Sequence, residues 1–298
     1  MRLAQIALPS GEVHAGLVEG DQVTDISGPR GEAVLDLLRS ASAAGRSLAQ
    51  IVADAPRGAR HSLRTLTAAG APRLAMPIHP PEVWGCGVTY RRSAEFRDED
   101  AQTAARGIYD QVYTSARPEI FFKATAARCV GPGEPIRVRA DSSFTAPEPE
   151  LALVLAHDGR IVGYTIANDV SAWDIERENP LYLPQSKIFQ GCCALGPTIV
   201  TPDEAGDGRG LNLSCRIHRG GRAIFEGAVS TDRIGRTFAE LIHYLMLDNP
   251  IPDGTVVLTG TGVIVTLEHA LAPGDVVEIE VERLGVLRNP VGPVSPSA

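Results

Sequence analysis

Glu148 and Glu150 stand on either side of Pro149, and the chain then runs directly into the apolar stretch Leu151 to Ala156. In an extended strand residues i and i+2 point to the same side, so both carboxylates face one way. Like charges that close repel unless a cation sits between them. A third carboxylate, Asp169, ends the apolar run Ile161 to Asn168, 19 residues beyond Glu150. That spacing suits a hairpin that returns it to the height of the glutamates. Three carboxylates with no histidine make a hard oxygen site for Mg²⁺ or Mn²⁺, with positions left for water and substrate, and a poor site for zinc. Alone, Glu-x-Glu is equally the mark of a solvated strand edge, where Pro149 is also tolerated.

Lysine is the second chemical signal, because only Lys123 and Lys187 are lysines among the 28 Lys and Arg residues. Arg stays protonated in any protein environment, whereas a lysine can be pushed toward neutrality and accept a proton. Lys187 follows Asp169 by 18 residues among apolar neighbours. Burial and a nearby cation both lower a lysine pKa, the condition for a general base, and a structural salt bridge to one of the carboxylates is the alternative. In Pro118-Glu119-Ile120-Phe121-Phe122-Lys123, alternation puts Glu119 and Lys123 on one side, as an acid/base pair or an ion pair. Thr259-Gly260-Thr261-Gly262 offers backbone N–H groups and a hydroxyl to an anion, and is also an ordinary turn. The seven histidines come no closer than 18 residues in sequence, and no nucleophile elbow is present.

These groups need a β-rich body to position them. Strand-like runs cover Ile136 to Arg139, Leu151 to Ala156, Ile161 to Ala167, Pro197 to Val200, Leu211 to His218, Thr255 to Thr259 and Val276 to Val281. Thr231 to Met246 has helical apolar spacing, with Ser230 or Thr231 as N-cap. The polar stretch from Tyr90 to Pro118 reads as a helix on a mobile flap. Residues 1–75 read as a small α+β domain, with a hairpin over Arg2 to Leu8 and Val13 to Val18 and short helices over Glu32 to Leu38 and Leu48 to Val52. Pro72, Pro77, Pro80 and Pro81 stiffen the connector to a catalytic domain over 76–298. The expected class is α+β, without regular βαβ winding.

Composition excludes several functions. Net charge is −8 with no basic block, against a nucleic-acid or anionic-membrane surface. No apolar run approaches the roughly 18 residues that a membrane span needs, and no signal peptide is recognisable at the start, so the expected location is cytoplasmic. Five cysteines without C-x-x-C spacing encode neither a disulfide framework nor a zinc knuckle.

Glu148-Pro149-Glu150-Leu151, Gly163 through Ser171, Lys187, and Gly274-Asp275-Val276-Val277-Glu278 to Leu287-Arg288-Asn289 together resemble the fumarylacetoacetate hydrolase superfamily over about 83–292. The resemblance implies a mixed β-roll, usually in homodimers or homotetramers. It also implies Mg²⁺ on Glu148, Glu150 and Asp169, with Mn²⁺ or Ca²⁺ as substitutes, and Lys187 at a small 2-keto acid substrate. The family's carbon–carbon hydrolases carry a base histidine where Ser93 stands here, and its usual Gly-Thr-Pro turn is Gly260-Thr261-Gly262. Gly87 to Tyr90, Tyr109-Asp110, Arg117-Pro118-Glu119 and Glu178 to Gln185 look most like its branch of dehydratases, which convert 2-keto-3-deoxy sugar acids to 2,5-dioxopentanoate through a metal-stabilised enolate. Expected are Lys187 and Glu119 as acid and base, in either order, with Thr89, Tyr90, Lys123, Thr261 and Gly262 around the substrate. Hydrolysis, decarboxylation or isomerisation of another keto acid shares that enolate, and a non-catalytic sugar-acid-binding oligomer is the alternative of another kind.

Overall fold

The computed structural model describes residues 1–67, 70, 72–100 and 107–293, with backbone alone over 97–100. The leading segment forms β1 (Arg2–Ala7), β2 (Val13–Glu19), β3 (Gln22–Asp25), helices α1 (Val34–Ala44) and α2 (Leu48–Asp54), β4 (Arg60–Ser62), the single turn α3 (Leu63–Leu66) and β5 (Arg73–Ala75). Then come β6 (Val83–Gly87), α4 (Arg91–Asp100), α5 (Ile108–Thr114), β7 (Glu119–Ala124), β8 (Cys129–Val130), β9 (Thr145–Ala146), β10 (Pro149–Leu155), β11 (Ile161–Asp169) and β12 (Ser171–Ala172). The remainder holds α6 (Trp173–Glu178), α7 (Leu183–Lys187), β13 (Cys193–Val200), α8 (Pro202–Ala205), β14 (Asn212–Arg219), β15 (Arg222–Ser230), α9 (Phe238–Met246), β16 (Thr255–Leu258), β17 (Val276–Val281) and β18 (Gly285–Pro290).

Twelve of these strands, among the described residues, form one mixed sheet ordered β4-β3-β2-β1-β13-β11-β10-β16-β6-β7, with β5 on β1 and β8 on β13. β1 lies antiparallel to β13 through Arg2↔Val200 and Leu3↔Ile199, so the leading strands extend the sheet that carries the carboxylates. A second sheet, β15-β14-β17-β18, packs its apolar side against the first. The architecture is α+β and β-rich. Its centre is β10, every residue of which is buried. A strand covered on both faces reads as a continuous apolar run, as Leu151 to Ala156 does.

Two elements differ from the sequence expectation. Ile136 to Arg139 is no strand but a single bridge, Ile136↔Val291. Its donors go to separate neighbours, Ile136 N–H to Pro290 O and Arg137 N–H to Gly191 O, so no ladder forms. The helix expected over Thr231 to Met246 begins only at Phe238, with Thr237 as N-cap and Glu240 closing a capping box. Gly235 interrupts it by donating its N–H to Thr89 O at 2.8 Å, and Ser230 caps only the short turn Thr231–Arg233. The expected flap contains α4 and α5, and its middle, 101–106, lies outside the described residues.

Candidate active site

The hairpin of β10 and β11 brings the acid trio together. Pro149 pairs with Asn168 and Glu150 with Ala167, while Asp169 N–H donates to Glu148 O at 2.9 Å. Pro149 is the first residue of β10, where a missing N–H is tolerated even in a central strand. One carboxylate oxygen from each of Glu148, Glu150 and Asp169 lies within 4.8 Å of the others, and the three residues are 3%, 2% and 1% exposed.

Three buried carboxylates demand countercharge, and both lysines answer. Lys187 Nζ donates to Glu148 Oε2 at 3.0 Å, Asp169 Oδ2 at 3.1 Å and Ser171 Oγ at 2.6 Å. Ser171 donates its own hydrogen to Asp169 O at 2.9 Å, so it accepts from the lysine. The amine also lies 5.3 Å from the Phe121 ring centroid. Lys123 Nζ stands 2.5 Å from Asp169 Oδ1 and donates to the backbone oxygens of Val170 at 2.9 Å and Lys187 at 2.6 Å. Burial is the largest influence on the Lys123 ammonium and pushes its pKa down, but the charge of Asp169 together with the neighbouring Cys192 and Cys193 thiols holds the group above the usual lysine value. The Asp169–Lys123 contact is a charge pair whose alignment falls outside hydrogen-bond geometry.

Even so, the trio is short of positive charge. Burial first, then the charges of Asp169 and Glu148, push the Glu150 carboxyl well above the ordinary carboxylate range, although Gly260 N–H donates to its Oε2 at 2.5 Å. A divalent cation is the group this donor set lacks, and an all-oxygen trio fits Mg²⁺ or Mn²⁺. Trp173 Nε1 donates to Glu148 Oε1 at 2.6 Å.

A cavity of about 10 Å³ adjoins the trio, with Lys187, Ser93, Phe121 and Thr261 on its wall. That is room for about one water or ion, not a five-carbon acid. Thr89, Tyr90, Lys123 and Gly262 lie behind the wall. Thr89 Oγ1 donates to Thr259 O at 2.6 Å. Tyr90 sits in the main apolar cluster and bridges to Ile234, and a side chain at Gly262 would strike its ring. Burial, then the Glu150 charge, raise the Tyr90 hydroxyl pKa above its ordinary value. Glu119 packs over Gly87, where a methyl group would collide with its Oε2. The bulge between Val83 and Trp84 leaves Lys123 as an extra residue on β7 and turns it to Asp169, away from the expected pairing with Glu119.

Sequence reasoning did not single out Ser171 and Trp173 as site residues. Their one signal was adjacency, since Ser171-Ala172-Trp173 follows Asp169-Val170 directly. Gly260 joins the site by backbone alone. It has φ +91°, and a Cβ there would collide with Thr89 Oγ1. Gly260→Ala is expected to lower stability by about 1–3 kcal/mol, read as an earlier unfolding midpoint in denaturant; an unchanged midpoint would show that the turn tolerates a side chain.

The family described as Fumarylacetoacetate (FAA) hydrolase C-terminal matches residues 82–292. The chain belongs to this family. Among fumarylacetoacetate hydrolase relatives, it is 52% identical over 221 residues, 74% of each chain, to 2-dehydro-3-deoxy-D-arabinonate dehydratase of Saccharolobus solfataricus. It is 44% identical over 216 residues, 72% of this chain and 74% of the other, to a probable 2-keto-3-deoxyxylonate dehydratase of Haloferax volcanii. A solved structure of 2-keto-3-deoxy-D-arabinonate dehydratase complexed with magnesium and 2,5-dioxopentanoate is 41% identical, with TM-score 0.85 over 98% of this chain and 99% of that one. The fumarylacetoacetate hydrolase match spans every carboxylate and lysine described above.

Proposed function

We propose that this chain is a magnesium-dependent hydro-lyase that dehydrates a 2-keto-3-deoxy sugar acid, with 2-keto-3-deoxy-D-arabinonate giving 2,5-dioxopentanoate. The observation that carries this reading is the product-bound, magnesium-bound structure of a relative matched over nearly the whole of both chains. Glu148, Glu150 and Asp169 are the residues that hold the ion, and Mn²⁺ or Ca²⁺ can substitute. When bound, the cation supplies Lewis acidity for the negative charge that develops on a substrate carbonyl oxygen.

The chain's own groups handle the protons. Lys187 donates all three N–H groups, to Glu148, Asp169 and Ser171. That is the arrangement of an ammonium, suited to protonating the departing C4 hydroxyl. Glu119, across the β6–β7 pair from Gly87, is the carboxylate that takes the C3 proton. The hydroxyl leaves as water with the Lys187 proton, and the proton taken by Glu119 makes good the lysine's loss, so that the net change is one water. Moving a proton from C5 to C3 and the resulting enol proton to C4 then gives the aldehyde. Thr261 contacts the substrate from the wall, with Thr89, Tyr90, Lys123 and Gly262 supporting it from behind. Ser93 places α4 on that wall, so opening of α4 admits the substrate and closing excludes water.

The enzyme works as a homodimer or homotetramer in the cytoplasm, with residues 76–298 as its catalytic part and 1–75 as a small leading domain whose strands extend the catalytic sheet. No helix among the described residues is long and apolar enough to cross a membrane. Incubation with Mg²⁺ and a panel of 2-keto-3-deoxy sugar acids is expected to give one product lighter than its substrate by one water, and chelation by EDTA is expected to stop it. Two smaller acids would mean hydrolysis, and no conversion across the panel would leave a binding protein.

A further inference from the structure

Trp173 ties the acid trio to the helix that covers it. Its backbone is fixed by N–H donation to Phe144 O at 2.8 Å. Its indole lies between two rings, with centroids 5.9 Å from Phe144 and 5.4 Å from Phe96. Phe96 belongs to α4, the helix whose Ser93 forms part of the cavity wall. The indole N–H meets Glu148 Oε1 at 2.6 Å, while Lys187 takes Oε2, so the two oxygens are gripped from different sides. Trp173 is itself 5% exposed, so water competes little for that bond.

We infer that Trp173 is a positioning residue: its N–H fixes the rotation of the Glu148 carboxylate for the divalent cation, and its ring is the seat on which α4 rests when the site is covered. This inference rests on the reading of Glu148 as a metal ligand. A carboxylate is a flexible donor, and one of its oxygens can accept a hydrogen bond and still keep a lone pair for an ion. Outer groups that orient a ligand in this way typically change metal affinity by about 10–100-fold when removed. The indole does so from a rigid bicyclic ring pinned by its neighbours, so little conformational freedom remains to be lost when the ion arrives.

The two parts of the role separate by substitution. Trp173→Phe keeps an aromatic ring between Phe96 and Phe144 and deletes the N–H together with one of the two fused rings. Calorimetric titration of the metal-free protein with MgCl₂ is expected to show affinity weakened about 10–100-fold, with kcat restored at saturating magnesium. Phe96→Ala keeps the N–H and removes the seat contact, so the KM for the keto acid is expected to rise while magnesium affinity stays unchanged. Magnesium affinity of Trp173→Phe equal to the wild type would overturn the inference. So would Phe96→Ala weakening magnesium as much as Trp173→Phe does, because ring tilt and not the N–H would then set Glu148. A wild-type protein that binds no magnesium would instead remove the metal reading itself, an outcome visible before either variant is made.

Discussion

Asp169→Asn is expected to abolish magnesium binding and turnover together and to destabilise the metal-free fold by about 3–5 kcal/mol, the usual cost of breaking a buried ion pair from one side. Two effects oppose each other at this position. Removing the charge relieves its repulsion with Glu148 and Glu150, whose oxygens lie up to 4.8 Å away. It also removes the partner of Lys123 at 2.5 Å and of Lys187 at 3.1 Å. Two buried ammonium groups left without this counter-ion cost more than the relieved repulsion returns, so the variant loses stability. Lys123 makes the loss larger because it has no exposed surface, and its two backbone acceptors do not carry a full charge. Denaturant unfolding of the metal-free protein, paired with a magnesium titration, reads both effects. A variant that melts like the wild type and still binds magnesium would mean that Asp169 is neither counter-ion nor ligand.

Lys187→Met is expected to lower kcat by about 10²–10⁴, the range for one acid–base group, without weakening magnesium binding. Methionine is close to lysine in length and can fill the same buried space, so the loss is chemical rather than steric. In the metal-free protein the substitution leaves Glu148 and Asp169 with one donor fewer, and the divalent ion compensates them when it binds. The expected signature is therefore a metal-free protein that is less stable than the wild type and is brought closer to it by magnesium. Turnover near the wild-type value would remove this amine from the proton transfers. Parallel loss of magnesium affinity would make it a structural member of the metal site.

The carboxylate trio was legible because it rests on two local rules. Strand periodicity of two sends Glu148 and Glu150 to one side, and a hairpin of apolar strands returns Asp169 to them, as the Pro149↔Asn168 register shows. Neither rule needs knowledge of distant packing. What surrounds the trio depends on that packing and was less visible. Alternation placed Glu119 with Lys123, but one extra residue at a bulge aims the lysine at Asp169, and a bulge has no reliable signature in a single sequence. Ser171 and Trp173 look like ordinary strand and helix residues until β12 pairs with β9 and fixes where they point. Tyr90 reads as a polar group beside the site, yet its bridge to Ile234 draws it into the core. The start of α9 was displaced for the same kind of reason, because Gly235 spends its N–H on a loop far away in sequence.

The most direct test is a crystal of the protein grown with Mn²⁺ in place of Mg²⁺ and measured for anomalous scattering. One strong peak is expected between the carboxylates of Glu148, Glu150 and Asp169, with an oxygen of each at roughly the 2.0–2.2 Å of a hard divalent ion. A peak bound by other residues, or none with manganese in excess, would contradict the metal site on which the proposed dehydration depends.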